Sequence, residues 1–254
     1  MSNIDFFTAV DEHRTYREFT DERLSPETLE KLKHVAQRTA TSSGLQLSSI
    51  IEIEDPQLRK QVAEIGKQEY ISRAPHLWLF IVDANRAAQI ITENGGDQGA
   101  LAGAASMDFF FQGFTDAILT AQNVSSACEV LGLGSAFLGS PLNDPAALCK
   151  VLDLPQLIFP ALALMFGHPN QSPQLKPRMS MDYRFFTDRY SAPESMREAL
   201  AGYDAEMLNY YDTRATNRKT TTFTQQLVSR AGVVLPARRK FLEAIRDQGF
   251  DLDI

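Results

Sequence analysis

The run 76–83, HLWLFIVD, decides the fold. Its apolar side chains occupy both alternating faces, which is typical of a strand in the middle of a sheet that is covered on both sides. Residues 159–167, FPALALMFG, have the same pattern, so the two runs predict the central strands of one sheet. The predicted strands, in chain order, are Ser49–Glu54, Leu77–Asp83, Ser135–Gly139 and Ala161–Phe166.

Three helix starts accompany these strands and share one pattern. Each places a capping side chain before a proline at the first helical position: Ser25-Pro26, Asp55-Pro56 and Asp144-Pro145. Apolar residues at helical spacing follow each start. Because no repeat and no low-complexity linker separates the pieces, they predict a single α+β domain over residues 1–254, with a helical and basic-loop extension from about Ala192.

One predicted helix is unusually apolar. Residues 107–134, MDFFFQGFTDAILTAQNVSSACEVLGLG, have helix length, little charge and apolar residues nearly all round. A helix without a polar face is buried. We therefore expect this one to lie inside the domain or at a subunit interface.

Composition excludes several functional classes. The chain has 254 residues, a hydrophobic content of 44% and a formal net charge of −7. An acidic surface argues against general binding to nucleic acid or to anionic membranes. The two cysteines and four histidines lack metal-ligand spacing, so neither a disulfide scaffold nor a metal site is expected. The N-terminus lacks signal-peptide character and no apolar run reaches the length of a membrane span, so we expect a soluble cytoplasmic protein.

A positive cluster stands out against this acidic background. Residues 13–21, HRTYREFTD, carry His13, Arg14 and Arg17 within five positions. Guanidinium groups suit phosphate oxygens because they form paired, charge-assisted hydrogen bonds. In the alternative interpretation, the arginines pair with neighbouring carboxylates on a solvated surface; the candidates are Glu12, Glu18, Asp21 and Glu22.

A second pair of cations lies far along the chain, in LKPRMS. Lys176 and Arg178 flank Pro177, which biases its neighbours to extended conformations and allows both cations to leave the chain on one side. The alternative is a surface loop with two scattered charges. If the two cationic segments converged, they would form a site for a dianionic phosphate.

Two further segments have the character of ligand-binding loops. In 132–143, GLGSAFLGSPLN, glycines bracket a short strand and allow the backbone to approach a planar ligand, although a plain strand with glycine turns has the same pattern. In 38–50, RTATSSGLQLSSI, Thr41, Ser42, Ser43 and Gln46 offer hydroxyl and amide groups after a helix, or form a polar turn. No G-x-S-x-G or H-E-x-x-H motif occurs, which suggests that a cofactor carries the chemistry.

Taken in order, these segments resemble the FMN-dependent nitroreductase superfamily, in its branch of oxygen-insensitive NADPH nitroreductases and flavin reductases. The resemblance runs from about His13 to about Arg239 and depends on the ordered set HRTYREFTDERLS, SSGLQLSSIIEI, GLGSAFLGSPLND, LPQLIFPALALMFGHP and LKPR. It implies a nitroreductase-like α+β fold, with a mixed, mostly antiparallel sheet sandwiched by helices. It also implies an intertwined homodimer that binds FMN at the subunit interface.

The resemblance also implies the FMN-binding residues, with no catalytic residue beyond the cofactor. They are His13, Arg14, Thr15, Tyr16, Arg17, Thr41, Ser42, Ser43, Gln68, Phe137, Leu138, Gly139, Ser140, Lys176 and Arg178. Arg14, Arg17, Lys176 and Arg178 would neutralise the FMN phosphate, and Arg17 is the candidate for a cation at the pyrimidine edge of the flavin. Three departures from the family pattern occur: Ala40 and Gly44 interrupt the serine run, Ser140 stands where a second glycine is common, and MSMD follows KPR where a proline is more usual.

The implied reaction is ping-pong reduction. NADPH, or NADH, passes a hydride to FMN, and a small-molecule acceptor (a nitroaromatic, a quinone or free flavin) then takes two electrons. Arg214, Arg218 and Lys219, in a basic stretch expected to be a mobile loop, are the candidates for binding the 2′-phosphate of NADPH. The alternatives are a flavin-binding protein without reductase activity and a related flavoenzyme acting as a dehalogenase or enoate reductase.

Overall fold

The structure is a computed structural model of the chain and describes residues 4–213 and 221–253. The three residues predicted to contact NADPH, Arg214, Arg218 and Lys219, lie outside these ranges. By contact density the described chain divides into two compact units. The first comprises Met1–Pro173 with Leu235–Ile254, and the second comprises Gln174–Val234.

A four-stranded sheet forms the centre of the first unit. Its strands are β1 (Ser48–Glu52), β2 (His76–Asp83), β3 (Gly134–Leu138) and β4 (Ile158–Gly167). Their order is β1-β2-β4-β3, and each neighbouring pair is antiparallel. All four predicted strands are confirmed, with β2 and β4 in the middle. β4 begins three residues earlier than predicted because Ile158 pairs with Asp83 beyond an irregularity between Phe80 and Ile81.

Eleven α-helices accompany the sheet within the described residues. In the first unit they are α1 (Phe6–Asp11), α2 (Pro26–Gln37), α3 (Pro56–Gly66), α4 (Ala84–Glu93), α5 (Gln98–Ala104), α6 (Met107–Val130), α7 (Pro145–Val151) and, near the C-terminus, α11 (Phe241–Asp247). In the second unit they are α8 (Met196–Ala199), α9 (Ala201–Thr213) and α10 (Phe223–Ala231).

The three predicted helix starts are confirmed in detail. The side chains of Ser25, Asp55 and Asp144 each accept a main-chain N–H from the first turn of α2, α3 and α7, and a proline follows each cap. The predicted stop of the last helix is also confirmed, since Gly249 follows α11 with a φ of 85°.

Both faces of the sheet are covered, as the pattern of β2 predicts. Leu77, Leu79 and Ile81 belong to a core cluster that includes residues of α3 and α7. Trp78 and Phe80 belong to another cluster that includes residues of α2 and α6. Since successive side chains of a strand point to opposite faces, the helices form a layer on each side of the sheet.

The apolar helix 107–130 is α6, but in the single chain it has a solvent face. One line of its residues, spaced by three or four positions, is exposed: Asp108, Phe111, Thr115, Leu119 and Gln122. Phe111 is 62% exposed and Leu119 is 44% exposed. This stripe has no cover within the described residues, so the helix does not lie wholly inside the domain of one chain, and its place at a subunit interface stays a prediction.

Both cysteines are buried, as expected for small hydrophobic side chains. Burial raises the pKa of the Cys128 thiol, and burial raises the pKa of Cys149 to about 12. The described ranges contain no group of three or more His, Cys, Asp and Glu side chains that could hold a metal ion. Among the helices of residues 4–213 and 221–253, none combines the length and the apolar character needed to cross a bilayer.

Candidate functional site

The first cationic segment lies against the start of β3. Thr15 forms a parallel bridge with Ser135, and the N–H of Tyr16 donates to the carbonyl of Ser135 at 3.0 Å. Gly134 makes this approach possible, because a Cβ atom at that position would lie 2.7 Å from Cγ of Tyr16. The segment 13–17 is thus fixed beside β3. The fold thereby brings together two motifs that are separate in the sequence, the cationic segment and the glycine-bracketed strand.

The arginines of this segment have no carboxylate partner in the described part of the chain. Arg14 donates to the main-chain carbonyl of Glu12 at 2.7 Å. Arg17 is exposed, and within residues 4–213 and 221–253 its side chain has neither an ion-pair nor a hydrogen-bond partner. Glu18 instead pairs with Arg73 at 3.2 Å.

The alternative of local ion pairs is therefore wrong for Arg14 and Arg17. No carboxylate of the described residues neutralises these two guanidinium groups, so they suit an anionic ligand. Arg14 and Arg17 therefore fit the phosphate group of FMN.

His13 has a second function in the fold. Its Nδ1 lies 2.5 Å from Oε1 of Glu129, in the last turn of α6. This contact ties the cationic segment to the helix and leaves the other ring nitrogen, Nε2, as the one through which His13 can meet a ligand. The adjacent Tyr16 is half-buried against Gly134.

The polar segment 41–47 is held by a carboxylate that the sequence analysis did not identify. Asp116 on α6 is fully buried, and its two oxygens accept the main-chain N–H groups of Ser42 at 2.7 Å and Leu47 at 3.1 Å. Between these anchors, Ser43 and Gln46 have left-handed backbones, with φ of 51° and 56°. A carboxylate in the middle of an apolar helix was the available signal, since a buried charge requires hydrogen-bond partners.

Gln68 and Ser140 are in direct contact. The Ser140 hydroxyl donates to Oε1 of Gln68 at 2.6 Å, which joins the segment after α3 to the turn after β3. Asn143 strengthens this corner by donating its Nδ2 to the carbonyl of Gly66 at 3.2 Å. Arg238 donates to the carbonyl of Gly139 at 2.5 Å and to Oδ1 of Asn143 at 3.2 Å, a contact that the sequence did not indicate.

The last two residues of β3 and the glycine that follows them differ in what they can present to a ligand. Phe137 is 36% exposed, whereas Leu138 is buried in the core on the opposite face of the strand. The Leu138 side chain is therefore unavailable to a ligand, and only its main chain could contribute. Nothing lies within 4 Å of the position that a Cβ atom of Gly139 would occupy, so this residue leaves open space for a close approach.

The second cationic pair belongs to the second compact unit. Lys176 and Arg178 are both exposed, and Arg178 donates to the carbonyl of Lys176 at 3.4 Å. The Tyr203 hydroxyl of α9 donates to the carbonyl of Pro177, also at 3.4 Å. That Lys176 and Arg178 approach Arg14 and Arg17 stays a prediction.

One of the four histidines, His76, is buried in the core. Nε2 of His76 accepts the N–H of Leu24 at 3.1 Å, and its Nδ1 lies 3.2 Å from a carboxylate oxygen of Glu52. Burial lowers the pKa of His76 below its ordinary value, against the opposing effect of Glu52. The ring is thus neutral at physiological pH, with Nδ1 protonated, and serves the fold rather than acid–base chemistry.

Comparison with known proteins identifies the family of the chain. The model of the nitroreductase family matches residues 10–168, and that of the nitroreductase family C-terminal domain matches residues 176–253. An NADPH-dependent oxidoreductase of Staphylococcus haemolyticus is 34% identical over 224 residues, which cover 87% of this chain and 88% of the relative.

Solved structures show the same fold. NfrA1 nitroreductase from Bacillus subtilis has a TM-score of 0.88 at 27% identity, covering 97% of this chain and 99% of its own. The NADPH:FMN oxidoreductase from Vibrio harveyi, solved with NAD+, has a TM-score of 0.83 at 24% identity and covers 96% and 98% of the two chains. The predicted nitroreductase-like α+β fold is confirmed, and the chain belongs to the nitroreductase family.

Proposed function

We propose that this protein oxidises NADPH at a bound FMN and delivers the electrons, two at a time, to nitroaromatics, quinones or free flavin by a ping-pong mechanism. As a member of the nitroreductase family, the chain is an NAD(P)H-dependent flavin oxidoreductase that uses FMN. The observation that carries the proposal is the pair Arg14 and Arg17, which lies beside β3 without a carboxylate partner in the described residues.

The binding roles follow from the chemistry of each side chain. Arg14, with Lys176 and Arg178, would bind the phosphate, because guanidinium and ammonium groups neutralise its charge. Arg17 would lie at the pyrimidine edge of the flavin, where a cation stabilises added negative charge. The other assigned positions would supply hydrogen bonds or ring contacts: His13, Thr15, Tyr16, Thr41, Ser42, Ser43, Gln68, Phe137, Leu138 through its main chain, Gly139 and Ser140.

The chain itself has little chemistry to perform once the cofactor is bound. FMN supplies hydride acceptance and two-electron transfer, which explains why no acid, base and nucleophile set occurs in the sequence. The residues around it would bind, orient and limit access of water. An open cleft with apolar walls suits acceptors of varied shape.

We also propose that residues 1–254 act as one cytoplasmic nitroreductase domain and assemble as a homodimer. The exposed stripe of α6 supports the dimer, since Phe111 and Leu119 place large apolar side chains in contact with water in a single chain. The nearby α1, which contacts α6, adds the exposed Phe6 and Phe7.

The choice of reductant is assigned to Arg214, Arg218 and Lys219. Three cations close together would bind the 2′-phosphate that distinguishes NADPH from NADH. Substituting all three by serine should raise KM for NADPH and leave turnover with NADH unchanged. Equal kcat/KM for the two nucleotides in the wild-type protein would remove this role from the three residues.

Absorption spectroscopy tests the function directly. The purified protein should carry the flavin bands in the visible region, or acquire them when FMN is added. Under anaerobic conditions NADPH should bleach the bands, and a nitroaromatic or quinone should restore them. Bound FMN that NADPH cannot bleach would instead identify a flavin-binding protein without reductase activity. Parallel double-reciprocal plots at several acceptor concentrations would support the ping-pong order, and intersecting lines would contradict it.

A further inference from the structure

We propose that Ser140 is a positioning residue that determines which end of the Gln68 side-chain amide faces the flavin. The inference rests on the proposed function, in which Gln68 lies near the isoalloxazine ring. It concerns one of the departures noted in the sequence, since Ser140 stands where a glycine is common in the family that the chain resembles. A hydroxyl group at this position adds a hydrogen-bonding group that glycine cannot supply.

The hydrogen bond that carries the proposal is short, and neighbouring hydrogen bonds hold the turn that contains Ser140. The Ser140 hydroxyl donates to Oε1 of Gln68 at 2.6 Å, and both residues are half-buried. Gly66 leaves room for the hydroxyl, because a Cβ atom there would lie 3.1 Å from Oγ of Ser140. Asn143 bonds the carbonyl of Gly66, and Arg238 bonds both Asn143 and Gly139, so the turn that carries Ser140 is fixed in place.

The consequence for Gln68 follows from the chemistry of the amide. A glutamine side chain has one acceptor end, the carbonyl oxygen, and one donor end, the NH₂ group. The hydroxyl proton of Ser140 takes one lone pair of the oxygen and holds it on the Ser140 side, so Nε2 is the end that remains for a ligand. With glycine or alanine at position 140, the amide could rotate and present either end at similar cost.

A fixed donor matters because of the atoms that it would meet. The pyrimidine edge of an isoalloxazine ring presents mainly acceptors, its two carbonyl oxygens and a ring nitrogen. A donor held toward that edge binds the oxidised ring, and binds more strongly when the ring gains negative charge on reduction. Ser140 would therefore increase both the affinity for FMN and its reduction potential, although it acts through Gln68 and need not touch the flavin.

The first test is a double-mutant cycle on FMN affinity. Titration of the FMN-free protein, followed by quenching of flavin fluorescence, gives Kd for the wild type, S140A, Q68M and the double variant. We expect S140A to raise Kd about threefold to tenfold, the effect of one lost hydrogen bond. S140A should then have little further effect in the Q68M background. S72A is the matched control, because the Ser72 hydroxyl donates to the carbonyl of Glu69 in the same corner and should leave Kd unchanged.

A second test measures the reduction potential of the bound flavin by titration against a reference dye. S140A should lower the potential, and S140A/Q68M should match Q68M alone. Two results would overturn the inference and leave the proposed function intact. In the first, the wild type binds FMN and S140A has the same Kd and reduction potential. In the second, the effects of S140A and Q68M are additive. If the wild type binds no FMN at all, the proposed function fails and the inference fails with it. Far-UV circular dichroism confirms that each variant is folded.

Discussion

Asp116, buried in the middle of α6, accepts the main-chain N–H of Ser42 at 2.7 Å across a separation of 74 residues. Its other carboxylate oxygen accepts the N–H of Leu47. One side chain thus holds both ends of the segment that contains the predicted flavin-binding hydroxyls. The conformation of this segment depends on the helix as much as on its own residues.

Replacing Asp116 by asparagine should loosen the segment. The NH₂ group of asparagine would face a main-chain N–H, so one buried donor would lose its acceptor. We expect the free energy of unfolding to fall by about 1–3 kcal/mol. Hydrogen exchange should accelerate at Ser42 or Leu47, as measured by mass spectrometry. Asp108→Asn, on the exposed side of the same helix, is the control and should change stability by less than about 1 kcal/mol.

Arg14→Ala should weaken FMN binding through the phosphate alone. A charge-assisted hydrogen bond contributes about 1.5–3 kcal/mol, so Kd for FMN should rise about 10- to 100-fold. Riboflavin lacks the phosphate, and its Kd should not change. Arg23→Ala is the matched control, because Arg23 is exposed and already pairs with Glu54 at 2.8 Å. An equal loss of riboflavin and FMN affinity would place Arg14 at the ring instead.

Arg17→Ala should affect the ring rather than the phosphate. Removing a cation from the pyrimidine edge disfavours added negative charge, so the reduction potential of bound FMN should become more negative. Riboflavin should lose affinity together with FMN. Anaerobic redox titration and fluorescence titration measure the two effects. An unchanged potential in this variant would contradict the assigned role.

Much of the fold is predictable from the sequence because the signals are local. The caps Ser25, Asp55 and Asp144 act within one helical turn, and the both-sided apolar pattern of β2 reflects burial on two faces. The extent of the strands is less predictable, because pairing partners decide where a strand ends. Ile158 belongs to β4 since it meets Asp83 across the sheet, and its own neighbours do not indicate this.

The candidate site was predictable in its segments but not in its connections. The contact between Gln68 and Ser140 joins residues that are 72 positions apart, and only the folded chain brings them together. Asp116 binds main-chain N–H groups, which every residue except proline has, so no partner residue marks it in the sequence.

Gly113→Ala should disturb the same segment from the helix side. A Cβ atom at position 113 would lie 2.5 Å from the carbonyl oxygen of Leu47 and 2.8 Å from a methyl group of Val82. Since the carbonyl belongs to the backbone, the segment must move, and we expect a loss of about 1–3 kcal/mol of stability.

Gly103→Ala is the opposite case on a neighbouring helix. Nothing lies within 4 Å of its added carbon, so the substitution should stabilise the protein by about 0.5–1 kcal/mol through helix propensity. Chemical denaturation of the two variants measures both changes. Equal effects at the two positions would show that contact with Leu47 does not decide the outcome at Gly113.

The stability of the protein should decrease in mild acid because of His76. Burial holds its pKa below the ordinary value of 6.5, with Glu52, Arg23 and Arg59 as the nearby charges. Below about pH 6.5 the unfolded chain therefore binds a proton that the folded chain does not. The contribution of His76 is fully present above this pH, and it is lost as the pH falls from about 6.5 toward the lower pKa of the folded state.

Urea unfolding at pH 5.5, 6.5 and 7.5 measures this dependence. His76→Gln keeps an acceptor for the N–H of Leu24 but cannot titrate, so its stability should depend less on pH than that of the wild type. His34→Gln, on the exposed surface of α2, should retain the wild-type dependence. Parallel curves for wild type and His76→Gln would contradict the role of this ring.

The burial of Cys128 and Cys149 gives the folded protein an experimental advantage. These are the only two cysteines of the sequence, and both thiols lie in the core with raised pKa values. Maleimide reagents attack exposed thiolates, so the native fold offers them no fast-reacting target. A cysteine introduced at the exposed Gln46 could therefore carry a fluorophore selectively and report on the movement of the 41–47 segment during turnover.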